Sequence, residues 1–264
     1  MVSMFRMIRR HHHLIMTLVI RDLKSRYVGS AMGFFWAVIN PLILILVFSY
    51  VFTTIFKQRT GATGEEHFFL FMFCGLWPWL AFQEGLSRSS YSVIENAHFI
   101  KKVVFPSEVL VISTVLSSFV QQVIGFILFF VFLLAMGQLG NPLYLLLLPL
   151  VFLLQLAFSV GLGWALSALT VFFRDVAQVS NALLMVWFYV TPIVYPASLV
   201  PSWLHPLLTV NPMHQLLTMY RGLILGARLP DPMGALYVAA ISGAALWAGF
   251  NVYGHLKMTF ADLL

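Results

Sequence analysis

Few residues in this chain are of a type that could do chemistry, and they are dispersed. His11-His12-His13 is the one run of metal-ligating type, but neighbouring side chains on a helix point about 100° apart, so three in a row do not converge on one ion. With Arg6, Arg9 and Arg10 the run reads as a solvated basic end. The ionisable residues farther on form pairs. Asp22 stands four residues before Arg26 and Glu84 four before Arg88, the spacing that lets opposite charges meet on a helix. Glu84, Glu108 and Arg221 lie near the ends of apolar stretches, where charges are solvated. There is no Gly-Lys dipeptide, so no phosphate-binding loop of the Walker type, and HExxH, GxSxG and paired CxxC are absent. The clearest apolar stretches hold no acidic relay of the kind a proton-coupled carrier uses. These residue types point to no reaction that the chain performs by itself.

The elements that carry these residues are membrane spans. The 264 residues are 61% hydrophobic and 9% charged, with mean hydropathy +0.92, whereas soluble domains carry about 25% charged residues. The net charge of +6 could suggest nucleic acid, but the basic residues fall between apolar stretches, which is the pattern of membrane topology. The single cysteine, Cys74, excludes a disulfide framework. Residues 1 to 20 superficially resemble a signal peptide, yet no small-residue cleavage site follows and Arg21-Asp22-Leu23-Lys24-Ser25-Arg26 interrupts the segment.

Uncharged stretches place six spans, at about 31–56, 67–87, 109–136, 143–173, 176–195 and 232–255. Val109 to Phe173 is 65 residues without Asp, Glu, Lys or Arg, broken by the turn residues Gly137 to Pro142, so it holds two spans. Residues 196–228 carry Pro196, Pro201, Pro206 and Pro212, too broken for a lipid-facing crossing, and read as short re-entrant or interfacial helices on the outer side. The fold class is therefore all-α integral membrane: six transmembrane helices, an N-terminal amphipathic interface helix within 1–30, and outer re-entrant helices between spans 5 and 6. With both termini inside, 11 of the 15 Lys and Arg lie on the cytoplasmic side, which supports that orientation. Gly161, Gly163, Ala165, Ser167 and Ala168 are small enough for close helix packing, within one subunit or between two.

The stretch Arg21 to Pro41 joins cytoplasm to membrane. Ile15, Val19, Leu23 and Tyr27 recur at steps of four and form one apolar stripe, and Arg26 falls beside it, where its guanidinium must snorkel to headgroups or meet a partner. Gly29, Ser30 and Gly33 then loosen the helix, and Asn40-Pro41 can bend the first span. Arg21-Asp22-Leu23-Lys24, Arg26-Tyr27, Gly29-Ser30, Gly33, Trp36 and Asn40-Pro41 resemble the opening of the membrane subunits of ABC-2-type polysaccharide exporters, which move O-antigen, capsular polysaccharide or teichoic acid across bacterial inner membranes. The likeness extends over the six-span layout, with its specific residues concentrated at 21–41 and 211–222.

The resemblance implies a permease that is not itself an enzyme and holds no cofactor. Two copies would form the pore, and two copies of a separate ATPase subunit would bind ATP and Mg below it. The loop 89–107 would carry a coupling helix, with Glu95, Asn96, His98, Lys101, Lys102 and Phe105 facing the ATPase. Arg21, Asp22, Lys24 and Arg26 would mark the interface helix, and Asn211, Pro212 and Arg221 an outer gate. The cargo would be a lipid-linked polysaccharide entering from the cytoplasmic leaflet. Tyr27, Phe34, Trp36, Trp77 and Trp79 could stack on sugar faces, although Trp77 and Trp79 around Pro78 also suit an interfacial belt. Three other readings compete. An ABC exporter of a drug or haem would share the scaffold, and only the 21–41 pattern argues against it. A gradient-driven carrier would need titratable groups at mid-membrane, and a glycan-modifying membrane enzyme would need clustered acids or histidines, whereas the nine Asp and Glu are scattered.

Overall fold

The computed structural model describes residues 2–26, 33–51, 66–102, 106–137, 141–226 and 228–263, and every regular element among them is a helix. In chain order these are α1 (Val2–Arg10), α2 (His12–Ser25), α3 (Trp36–Tyr50), α4 (Glu66–Glu95), α5 (Ala97–Lys102), α6 (Glu108–Ala135), α7 (Pro142–Leu145), α8 (Leu148–Phe172), α9 (Asp175–Val190), α10 (His205–Val210), α11 (Pro212–Ile224), α12 (Pro232–Leu256) and α13 (Phe260–Leu263). The expected solvated N-terminal end is itself helical, with Arg6, Arg9 and Arg10 exposed on α1.

By length and composition, three segments among the described residues suffice to cross a membrane: Glu108–Ala135, Leu143–Phe172 and Pro232–Thr259. Around them α4 runs 30 residues, while α3 and α9 have 15 and 16. Residues 196–228 form two 3-10 turns, the six-residue α10 and the 13-residue α11. At about 1.5 Å per residue α11 spans about 20 Å, short of the ~30 Å hydrocarbon layer. Left-handed backbone occurs at Gly33, φ 46°, where a 3-10 turn leads into α3, and at Gly137, φ 65°, where α6 ends in the expected turn.

The helices α4, α6, α8 and α12 form the bundle, and their small residues pack it from within. A Cβ on Gly161 of α8 would lie 2.4 Å from the backbone of Ala245 on α12, and one on Gly163 2.9 Å from Ser89 Oγ on α4. The expected close packing is thus within one subunit. Two apolar cores result. One, at the end holding α2, joins Ile15, Leu18 and Val19 to Val109, Val115, Trp164 and Tyr253. The other, at the end holding α11, joins Phe73, Trp77 and Trp79 to Phe126, Leu216 and Leu223. Between them on α6 stands Gln122, whose Nε2 donates to Gln155 Oε1 at 3.1 Å and to Tyr220 Oη at 3.3 Å, while Tyr220 Oη donates to Gln155 Oε1 at 2.8 Å. The other end of this amide chain reaches α4, where the carbonyl of Pro78 accepts from Gln155 Nε2 at 2.8 Å.

Candidate permease site

The helix α2 is fastened to the bundle by charge. The stripe Ile15, Val19 and Leu23 faces inward, with Leu18 beside it, and packs on protein, chiefly α6. Arg26 meets a partner, as its position beside the stripe requires. Its Nε and Nη2 reach Asp22 Oδ2 at 3.1 and 3.0 Å, Nη1 pairs with Glu84 Oε1, and Nη2 donates to Ser117 Oγ at 2.8 Å and Ser118 Oγ at 3.3 Å. Arg88 grips the same carboxylate from α4, with Nη2 2.6 Å from Asp22 Oδ1 and Nη1 3.1 Å from Oδ2, and it lies 3.7 Å from Glu84. Ser117 also donates to Asp22 Oδ2. Two pairs, each legible by spacing, have joined into one neutral network across α2, α4 and α6. Burial pushes the Asp22 carboxyl upward, and the Ser117 hydroxyl, the Arg88 bonds and the charges of Arg26 and Arg88 outweigh it, leaving the group below the usual carboxylate range.

The same helix holds the short helix α5. Glu95 ends α4 exposed, and Asn96 is a one-residue break. Asn96 Nδ2 donates to Ser92 O at 2.8 Å, its carbonyl accepts Phe99 N at 3.0 Å, and its Oδ1 accepts from Arg21 Nη2 at 3.2 Å. Arg21 also lies over the Phe99 ring, 5.6 Å from its centre. His98 and Lys24 are exposed, and Lys101 and Lys102 close α5. Phe105 and Tyr27 lie outside the described residues.

The aromatic residues separate into two environments. Trp36 opens α3 at 40% exposure, and Phe34 sits in the turn before it. Trp77 and Trp79 are packed inside the subunit. The Trp77 indole stacks on Phe73 at 4.9 Å, donates to Gln122 O at 3.1 Å and occupies the space a side chain at Gly125 would need. Trp79 donates to Gln83 Oε1 at 2.8 Å and meets Phe82, Trp187 and Phe188.

At the opposite end Asn211 and Pro212 start α11 as their types dictate, amide cap and first-turn proline. Asn211 Oδ1 accepts from Met213 N at 3.1 Å, His214 N at 3.3 Å and Trp187 Nε1 at 2.9 Å, and Nδ2 donates to Thr191 Oγ1 at 2.9 Å. Arg221 closes the join from the other side. Its Nη1 and Nη2 donate to the carbonyls of Pro192 and Ile193 at 2.8 and 2.7 Å, just past the C-terminus of α9, and the guanidinium lies 3.6 Å from the centre of the Phe71 ring. Gly75 admits it, since a Cβ there would be 2.3 Å from Nη2.

Sequence reasoning missed Ser117, Ser118, Gln122, Gln155, Trp187 and Lys257. The first four carry one signal, a polar side chain inside an apolar helix, which in a membrane calls for a partner. Trp187 and Lys257 carry none. Among the described residues no three His, Cys, Asp or Glu side chains gather as a metal site.

A helical bundle of this composition, with α2 bound by charge to α4 and by Arg21 to Asn96 at the root of a short helix between two long ones, belongs to a known class of membrane subunit. The family profile "ABC-2 type transporter" matches residues 13–225, and this chain belongs to that family. It is similar to the O-antigen export system permease protein RfbA of Myxococcus xanthus, 33% identical over 99% of each chain. RfbA of Klebsiella pneumoniae is 29% identical over 95% of each. The polysialic acid transport protein KpsM of Escherichia coli is 22% identical over 89% of this chain and 90% of its own.

Proposed function

We propose that this chain is the pore-forming permease subunit of an exporter that carries a lipid-linked polysaccharide, O-antigen or a similar glycan, from the cytoplasmic side across the bacterial inner membrane. The observation that carries this reading is the 33% identity, over 99% of both chains, to an O-antigen export permease. Energy comes from a separate ABC ATPase subunit, two copies of which bind ATP and Mg beneath two copies of this chain. The chain crosses six times with both termini cytoplasmic, so the end holding α1, α2 and α5 faces the ATPase.

In that frame α5 is the coupling helix, and Glu95 at the end of α4 with His98, Lys101 and Lys102 of α5 meets the ATPase. A push on it reaches α2 through Asn96 and Arg21, and reaches α4 and α6 through the Asp22, Arg26, Glu84, Arg88 network. The glycan passes Tyr27, Phe34 and Trp36, while Trp77 and Trp79 pack the interior of the subunit. Asn211, Pro212 and Arg221 hold the outer gate in shape.

ATPase activity and glycan export are measured in membranes containing this subunit and its ATPase, wild type against Lys101→Glu/Lys102→Glu. Export should need the ATPase and fall in the variant while the subunit stays folded. Export without any ATPase would overturn the reading in favour of a gradient-driven carrier, and unchanged export in the variant would remove α5 as the docking site.

A further inference from the structure

Gln122 stands near the middle of α6, about 20 Å from either end of a helix long and apolar enough to cross a membrane. It is 1% exposed. Its Nε2 is turned to Gln155 of α8 and Tyr220 of α11, and its Oε1 is left with no hydrogen-bond donor among the described residues. An unpaired amide oxygen at that depth costs free energy, and the ordinary remedy is a donor held in an adjoining polar cavity.

Such a cavity adjoins it. Between α4 and α6 lies a pocket of about 40 Å³, with Gln122, Gln121, Ser118 and Glu84 as its polar wall and Trp77 and Leu80 among its apolar residues. One water needs about 10–15 Å³ on this measure, so the pocket has room for a hydroxymethyl group. It is open at its rim, where Gln121 and Leu80 are half-buried and the Glu84 side chain is 38% exposed.

The chemistry of the wall selects the occupant. Glu84 is matched by Arg26 and Arg88 in the neutral network, so little net charge is left to hold an ion. What remains is hydrogen-bonding capacity, the Gln122 amide oxygen above all, beside apolar carbon. A neutral group that donates a hydrogen bond and carries aliphatic C–H suits that wall, and a sugar hydroxyl on its carbon is such a group. The polar lining stops at Trp77. Beyond it the same helices border an apolar cavity of about 170 Å³, with Phe69, Phe73, Phe129 and Phe132 in its wall, which offers a hydroxyl no comparable partner.

We propose that the pocket between α4 and α6 is a sugar subsite in the wall of the translocation path, where one hydroxyl of a passing pyranose unit donates to Gln122 Oε1. This rests on the exporter reading above and adds a place where α4 and α6 meet the cargo. It also accounts for polar residues at the middle of α6, since such groups face protein or a water-filled path.

The test uses the full complex in liposomes with Leu80→Cys, and reads the rate at which a water-soluble methanethiosulfonate labels this subunit. Cys74 is buried, so the new thiol is the one that reports. Maltotriose is the probe, and a methyl-capped oligoethylene glycol of similar length, which has no hydroxyl, is its control. Maltotriose should slow labelling at least about threefold, the protection expected once filled pockets outnumber open ones by about two to one. The polyether should give no such protection, and Gln122→Leu should remove most of it in complexes that assemble. If Gln122→Leu does not assemble, the comparison of sugar with polyether decides alone. A Leu80→Cys thiol that the reagent does not reach overturns the inference, as does equal protection by the polyether or full protection in assembled Gln122→Leu. Failure of the wild-type complex to export glycan in an ATP-dependent way overturns the exporter reading instead.

Discussion

Gly249 of α12 lies directly on the carbonyl of Gly161 of α8: a Cβ at Gly249 would be 1.9 Å from that oxygen and 2.7 Å from its carbon. Backbone meets backbone at this crossing, so neither helix can yield by rotating a side chain. Gly249→Ala should destabilise the subunit by about 1–3 kcal/mol, the usual cost of overpacking. A methyl group at Gly243, on the same helix, would meet no neighbouring atom within 4 Å, and Gly243→Ala should be neutral or stabilising by up to about 1 kcal/mol. Thermal unfolding in detergent compares the two. Equal behaviour would mean the helices cross elsewhere.

Asp22 accepts bonds from Arg26, Arg88 and Ser117 at once, so Asp22→Asn leaves two guanidiniums competing for Glu84. The expected cost is about 2 kcal/mol, that of hydrogen bonds to a charged group with modest exposure. Because the carboxyl lies below its ordinary value of 3.8 in the folded chain, its contribution is present above that value and is lost as pH falls through the lower, folded one. The stability difference between wild type and Asp22→Asn should therefore be level from about pH 7 to about pH 5 and shrink only below about pH 4. A difference already closing near pH 6 would show that Asp22 is not held in this network.

The chain carries its own probe for the Arg221 anchor. Cys74, the single cysteine, is fully buried and adjoins Gly75, the residue whose missing side chain admits the guanidinium. Lysine cannot reproduce the two-pronged grip on Pro192 and Ile193. Arg221→Lys and Gly75→Ala should each raise the rate of Cys74 maleimide labelling several-fold, and Arg221→Lys should cost about 2 kcal/mol of stability. Protection of Cys74 unchanged in both variants would place the anchor elsewhere.

Asn211 caps α11 while binding Trp187 and Thr191 of the α9 end. Asn211→Ala removes a cap worth about 1 kcal/mol and leaves the Trp187 N–H unpaired, adding about 1–3 kcal/mol. Asn211→Asp keeps both acceptor roles and should recover most of that loss in the same unfolding assay. Equal loss in the two variants would show that the amide's donation to Thr191 dominates.

What could be read from the sequence was whatever a single helix decides. Asp22 with Arg26 and Glu84 with Arg88 follow from spacing alone, the apolar stripe of α2 from periodicity, and the Asn211-Pro212 start of α11 from residue type. That the two ion pairs meet depends on how α2 docks on helices some 60 to 90 residues away, and no local pattern encodes that approach. Tryptophans mislead for a related reason. The same indole serves a lipid interface, a sugar-facing wall or a packed core, and only the partners of Trp77 and Trp79, Phe73, Gln122 and Trp187 among them, separate these uses. The small residues of α8 announced a close crossing but not its other side, which proved to be Ala245 and Gly249 of the same chain.

The neutral network at the root of α2 also decides which part of the protein senses the surface potential of the bilayer. Arg26 and Arg88 are matched by Asp22 and Glu84, and Lys257 by Glu108, so these cations contribute almost nothing to the field beyond the protein. Among the described residues of α1 and α2, the exposed cations without an ionic partner are Arg6, Arg9 and Arg10 of α1 and Arg21 and Lys24 of α2. In the orientation proposed above, at about 1 kcal/mol per basic residue near an anionic leaflet, the three arginines of α1 would make the seating of the first helix depend more on phosphatidylglycerol or cardiolipin content than the two unpaired cations make that of α2.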